Sequence, residues 1–201
     1  MEHQNEEQSY IEPASSETGK TWKNETWEWV KALLIAGVLV FVIRFFLVSP
    51  FVVEGPSMEP NFYTGERIMV NKLIYDIRDP KHGEVIVFHA PEGKDYIKRI
   101  IALPGETVKV EGDKVSINGT PVDEPYLKEA IQKAILEGHP YNNRNFAEAK
   151  VPNGSIFAMG DNRSNSSDSR FPSVGFVPFE KIVGRAELIY WPLNKISLIH
   201  F

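Results

Sequence analysis

Two residues of this chain have the side-chain chemistry of a nucleophile and its base. Ser57 stands between two prolines in Val53-Glu54-Gly55-Pro56-Ser57-Met58-Glu59-Pro60. Pro56 fixes the backbone entering the serine and Pro60 stiffens the exit, while Gly55 admits conformations that other residues resist. A serine held this way can present its hydroxyl at a set angle, although a turn or a helix cap is the commoner use of Pro-Ser. A nucleophilic serine needs a base. The five histidines, His3, His82, His89, His139 and His200, stand in no recognisable triad context, and the Gly-x-Ser-x-Gly elbow is absent. Lysine is the alternative, provided burial lowers its pKa by roughly 3 units from about 10.4. Lys98 lies in Asp95-Tyr96-Ile97-Lys98-Arg99-Ile100-Ile101-Ala102, which reads as a strand. Alternation puts Lys98 on a face with Tyr96, Ile100 and Ala102, where it is desolvated, and turns Arg99 the other way, towards solvent. A sheet that leaves Lys98 exposed is the plain alternative.

A third cluster runs from Gly160-Asp161-Asn162-Arg163 through Ser164-Asn165-Ser166-Ser167 to Asp168-Ser169-Arg170, directly after the apolar Phe157-Ala158-Met159. A solvated loop with weak surface ion pairs is one reading. A set of hydroxyls and charges that fixes a neighbouring catalytic group is the other. A calcium loop is disfavoured, since the acidic residues are few and the glycine and terminal glutamate of an EF-hand are missing. The chain has no cysteine, which removes disulfides, thiolate nucleophiles and zinc–thiolate sites together. A net charge of -5 argues against nucleic acid as the main partner.

The elements that must position these residues follow from the patterning. Residues 1–28 read as a polar, glutamate-rich tail ending among Trp22, Trp27 and Trp29, and residues 29–48 as a transmembrane anchor. From Ala32 to Val48, 16 of 17 residues are apolar or glycine, the exception being Arg44 near the end. Such a helix is about 25 Å long, near the short end for a bilayer, with the tryptophans at one interface and Arg44 able to snorkel at the other. The lysines before the span put the tail in the cytoplasm. Signal-peptide cleavage is disfavoured because Phe46-Leu47-Val48-Ser49-Pro50 offers no small-x-small site. Residues 49–201 read as an antiparallel β-domain, with strands expected at 51–54, 66–71, 84–89, 95–102, 106–111, 114–118, 155–160 and 181–191. Gly112-Asp113 and Asn118-Gly119 are hairpin turns. One short helical insert is expected at 123–137, with Leu127, Ile131 and Ile135 as its apolar stripe and Gly138 as its C-cap.

Behind one hydrophobic anchor, Gly55-Pro56-Ser57-Met58-Glu59-Pro60, Tyr96-Ile97-Lys98-Arg99-Ile100-Ile101-Ala102-Leu103-Pro104-Gly105-Glu106 and the Gly160 to Arg170 cluster resemble, in order and spacing, the type I signal peptidases (leader peptidases). The compact size is similar to the Gram-positive bacterial members. The resemblance implies a Ser-Lys dyad serine endopeptidase in the cell membrane, single-pass, its catalytic domain on the extracytoplasmic face, that removes signal peptides from exported preproteins. Ser57 would be the nucleophile and Lys98 the general base, with Ser166 orienting the lysine. Asp161 and Arg170 would form an ion pair behind the site, and Asp168 a further support. No metal or organic cofactor is implied. The partners implied are signal peptides with small residues at -1 and -3, and the lipid bilayer. Phe51, Val53, Met58, Phe62, Tyr96 and Ile97 would line the substrate pockets, and the apolar Phe51-Val52-Val53 would lie near the membrane surface. In one respect the chain departs from some members, which carry an oxyanion-stabilising serine where Gly55 stands. Only the Ser57 backbone N–H is then available as donor, and a second is unidentified. Two rivals are a Ser-Lys self-cleaving repressor, which would need a DNA-binding helical domain, and a membrane-anchored β-domain that binds partners without catalysis.

Overall fold

A computed structural model of the chain describes residues 21–42, 47–91 and 93–200. Helix α1 (Thr21–Val42) starts within the expected tail rather than at Trp29, and residues 1–20 of that tail lie outside the described residues. Among the described residues no helix is long and apolar enough to cross a membrane. α1 carries Lys23, Glu25, Glu28 and Lys31 in its first half, and the expected apolar run to Val48 passes through residues 43–46, which lie outside the described residues. Within α1 itself, Leu33, Leu34, Ile35, Val38, Leu39, Val40 and Phe41 are all exposed, so its apolar half is greasy on every side.

The rest of the chain has the expected mainly β architecture. In chain order its strands are β1 (Val48–Val52), β2 (Arg67–Asn71), β3 (Val85–His89), β4 (Asp95–Ala102), β5 (Thr107–Glu111), β6 (Lys114–Ile117), β7 (Thr120–Pro121), β8 (Phe146–Lys150), β9 (Ser155–Met159), β10 (Val177–Pro178), β11 (Ile182–Trp191) and β12 (Ser197–Leu198). The larger sheet runs β1-β2-β11-β3-β4-β9-β10, with β12 against β11; the smaller runs β7-β6-β5-β8. All pairings are antiparallel. Gly112-Asp113 closes the β5–β6 hairpin, setting Glu111 opposite Lys114. Asn118 and Gly119, with φ of 51° and 77°, turn β6 into β7, as a two-residue hairpin requires.

The core follows the two-residue period of the strands. Val85 and Val87 of β3 face a cluster with Val53, Met58, Phe62, Ile68, Val70 and Ile97, while Ile86 and Phe88 join Ile100, Ile156 and Ala158 on the other side. β3 is therefore covered on both faces, and the β4 strand beside it, opposite Ile86 at Lys98, is drawn into the interior with it. The helical insert departs from expectation in its register. It begins as a 3-10 turn (Pro125–Leu127) and continues as α3 (Lys128–Leu136), following a one-turn α2 (Ile74–Ile77) earlier in the chain. Leu127 and Ala134 are buried, whereas Ile135, expected on the apolar stripe, is 64% exposed. Seven residues along a helix return to within about 20° of the same face, but eight land about 80° away. Gly138 has the left-handed φ of 77° expected of a helix-ending glycine.

Candidate active site

Ser57 sits in a tight turn whose flanks are fixed from both ends. Gly55 takes a φ of 81°, a conformation that favours glycine. After the serine, Met58 and Phe62 are buried in the core, and the Glu59 and Phe62 N–H groups donate to Pro56 O and Met58 O at 3.1 and 3.0 Å. The serine hydroxyl is thereby held against β4. There Lys98 Nζ donates to Ser57 Oγ at 2.8 Å and to its neighbour Ile97 O at 2.8 Å. Lys98 is only 3% exposed, and its ammonium lies 5.0 Å from the centre of the Tyr96 ring. Burial pushes its pKa from 10.5 down to about 8, Asp168 and Asp161 pull it up, and Arg170 pushes it down. A lysine of pKa 8 is neutral in about one molecule in ten at pH 7.

The loop after β9 wraps behind this pair, but its ion pairs are not the expected one. Asp161 does not meet Arg170. It accepts from Arg99 Nε and Nη2 at 2.9 and 2.7 Å and from Asn61 Nδ2 at 2.8 Å. Arg170 instead binds Asp168 through Nε and Nη2, both at 2.8 Å. Arg170 and Asp168 are two residues apart, so the loop can close a bidentate pair locally, leaving Asp161 for the strand. Arg99 is likewise corrected: it does leave the Lys98 face, yet it is 3% exposed rather than solvated. Asp161, the Gly83 carbonyl at 2.8 Å and the Tyr126 ring at 4.0 Å enclose its guanidinium. Burial alone would raise the Asp168 pKa, but the Arg170 guanidinium and the Gly160 N–H at 3.0 Å hold it below the usual carboxylate range.

Ser166 also differs from expectation. It is 8% exposed, and among the described residues its hydroxyl makes no hydrogen bond to Lys98; it faces the Asp168 carboxylate instead and helps to lower that group's pKa. It is packed against Gly160, where a Cβ would come within 2.2 Å of Ser166 Oγ and 2.5 Å of Ser57 O. Several site-forming residues are given no role by the sequence: Arg99, Asn162 and Arg163 stand inside the quoted motifs and Asn61 and Glu124 outside them, and Glu124 and Arg163 form a buried ion pair tying the helical insert to the loop. Their partners lie far away in the chain, 62 residues for Arg99–Asp161 and 39 for Arg163–Glu124.

An open cleft of about 570 Å³ runs past Ser57 and Lys98. Of the expected pocket residues, Phe51, Val53, Tyr96 and Ile97 line it, joined by Ile68 and Val87. Met58 and Phe62 do not: they are buried beneath the turn, where they hold Ser57 in place. The Ser57 N–H is taken by no hydrogen bond among the described residues.

A serine hydroxyl hydrogen-bonded to a buried lysine of lowered pKa, at an extended cleft in a β-fold, is an arrangement suited to acyl transfer. The family model for signal peptidase, peptidase S26, matches residues 26–191, and the chain belongs to that family. It is 43% identical to a signal peptidase I of Bacillus amyloliquefaciens, covering 90% of this chain and 97% of that one. It is 40% identical to signal peptidase I T of Bacillus subtilis (strain 168), covering 92% and 97% respectively. Among solved structures, a signal peptidase I from Enterococcus faecalis V583 is 34% identical with a TM-score of 0.48, covering 54% of this chain and 97% of that one.

Proposed function

We propose that this chain is a membrane-anchored serine endopeptidase that removes N-terminal signal peptides from exported preproteins, with Ser57 as nucleophile and Lys98 as general base. The 2.8 Å contact between Lys98 Nζ and Ser57 Oγ, in a chain of the signal peptidase family, carries the reading. Neutral Lys98 takes the Ser57 proton as Oγ bonds to the scissile carbonyl carbon, and the carbonyl electron pair moves onto oxygen. Collapse of this intermediate breaks the C–N bond, and Lys98 returns the proton to the departing amine. Water, deprotonated by the same lysine, then hydrolyses the acyl-enzyme. The Asp161–Arg99 and Asp168–Arg170 pairs brace the loop that carries Ser166, the hydroxyl to which the resemblance assigns the orienting of the lysine.

The substrate enters as an extended strand. β1 is the edge of the larger sheet, and the β4 register with β9 starts only at Arg99, so the first half of β4 extends past β9. The β1 edge and the overhanging half of β4 beside the cleft suit main-chain pairing with a peptide, with Phe51, Val53, Tyr96 and Ile97 against its side chains. Small side chains at -1 and -3 fit the implied substrate class.

The apolar half of α1 and the run towards Val48 support a single-pass anchor with an inside N-terminus and an extracytoplasmic catalytic domain. Val52 and Trp191 flank Arg67 in one row across the sheet, and both are exposed. An apolar pair beside a cation suits contact with lipid headgroups, close to where a signal peptide's cleavage region emerges.

The test is cleavage of a preprotein by the full chain in detergent. Wild type should cut at the signal-peptide junction, and Ser57→Ala and Lys98→Arg should not, since arginine stays charged and cannot act as a base. Equal cleavage by wild type and Ser57→Ala refutes the nucleophile, and retained activity in Lys98→Arg refutes the base. Cleavage by neither wild type nor variant favours a binding module instead.

A further inference from the structure

Asn162 holds both carbonyls that flank the Ser57 α-carbon. Its backbone N–H donates to Ser57 O at 3.0 Å, and its side-chain Nδ2 donates to Pro56 O at 3.1 Å. The Ser164 hydroxyl donates to Asn162 Oδ1 at 3.2 Å, which fixes the amide with its NH₂ towards Pro56. Pro56 O also accepts from the Glu59 N–H at 3.1 Å, so this one carbonyl has two donors.

The Pro56–Ser57 peptide is trans and planar, with its C=O and N–H pointing in opposite directions. Tethering the carbonyl on the Asn162 side therefore turns the Ser57 N–H to the opposite side, and no described group takes that N–H. Hydrogen bonds to the carbonyl also polarise the peptide and make its N–H a stronger donor. We infer that Asn162 is a positioning residue for the oxyanion site: through the Pro56 carbonyl it aims and strengthens the Ser57 N–H for the negative oxygen of the tetrahedral intermediate. The inference rests on Ser57 being the nucleophile. It also bears on Gly55, which offers no hydroxyl to share the oxyanion. A site with one identified donor depends more heavily on that donor's orientation.

Asn162→Ala removes the amide and leaves the main-chain bond to Ser57 O in place. In the full chain, kcat for a signal-peptide substrate should fall about tenfold with KM held within about twofold, less than the 10²–10³ lost when an oxyanion donor is removed outright. A peptide aldehyde adds to Ser57 Oγ to give a hemiacetal whose oxygen occupies the oxyanion position. Its affinity should fall by the same factor as kcat, while the corresponding peptide alcohol, which forms no oxyanion, binds as before. No charge changes, so the pH dependence of kcat should not move. Ser164→Ala, which frees the amide to rotate, should act in the same direction by about two- to threefold.

Two results overturn the inference: wild-type kcat and aldehyde affinity in Asn162→Ala, or equal weakening of aldehyde and alcohol. Should Asn162→Ala fail to fold, Ser164→Ala decides alone, with selective loss of aldehyde affinity supporting the inference and unchanged binding refuting it. Cleavage by Ser57→Ala at the wild-type rate would remove the nucleophile itself, an outcome distinct from either.

Discussion

Lys98→Met should abolish cleavage and make the protein more stable at neutral pH. Methionine fills much the same volume without a charge. Folding lowers the lysine pKa from 10.5 to about 8. At 1.36 kcal/mol per pKa unit, this corresponds to a folding penalty of about 3 kcal/mol at pH 7. The sign follows from the direction of the shift. The unfolded chain holds the proton up to its higher pKa, so the penalty is complete below pH 8 and fades as pH rises from 8 towards 10.5. At pH 9.5 it has shrunk to about 1 kcal/mol. Against this gain stand the bonds to Ser57 Oγ and Ile97 O, worth about 1 kcal/mol each. The net expectation is about 1 kcal/mol of stabilisation at pH 7, reversed to about 1 kcal/mol of destabilisation at pH 9.5. Urea titrations of the full chain in detergent at several pH values, followed by far-UV circular dichroism, measure the difference from wild type, in which other titrating groups cancel. A difference that stays constant between pH 7 and 9.5 would refute a strongly shifted Lys98 and with it the proposed base.

Two further outcomes follow from the same site. The kcat/KM of the wild type should rise with pH along a single limb with its midpoint near 8, because only the neutral lysine accepts the proton; a flat profile from pH 6 to 9 would exclude Lys98 as the base. Gly160→Ala should cost about 1–3 kcal/mol and most of the cleavage activity, because the new Cβ would meet Ser166 Oγ at 2.2 Å and the Ser57 backbone at 2.5 Å. Full activity in that variant would show that the Ser57 turn is not held in place from the Gly160 side.

The legible parts of the fold were those written in local patterning. Seven of the eight expected strands are present almost as expected in β2–β6, β9 and β11, because their apolar runs and turn residues carry the signal within a few positions; the first is shifted, β1 running Val48–Val52 where 51–54 is expected, because its pairing with β2 starts at Val48. β8 carries no such signal, because Phe146-Ala147-Glu148-Ala149-Lys150 has little β propensity; it is a strand because β5 offers it an edge, a long-range cause. The candidate nucleophile and base were legible for a similar reason, one marked by its prolines and the other by an apolar strand. The burial of Arg99 is not legible locally, because alternation says which face a side chain takes but not what covers that face. Asp161 makes the buried site habitable for a guanidinium, and no local pattern joins the two. The pairing of Arg170 with Asp168 was open to a different error: a sequence lists the charges of a loop without their partners.

Those partners explain how two acidic residues can stand behind a lysine that must lose its proton. A buried carboxylate near Lys98 favours its charged form, and both Asp161 and Asp168 act in that direction. Each, however, is bound by an arginine in a two-pronged contact, Arg99 on Asp161 and Arg170 on Asp168. An ion pair presents a dipole to its surroundings, and a dipole's field falls off faster than that of a single charge. Burial can therefore dominate the lysine's pKa even with two carboxylates close by. The ion pairs let the loop after β9 be rigid and polar without holding Lys98 in its protonated form. The same loop carries Asn162 to the Ser57 turn, so the element that spares the base its charge also grips the backbone beside the nucleophile.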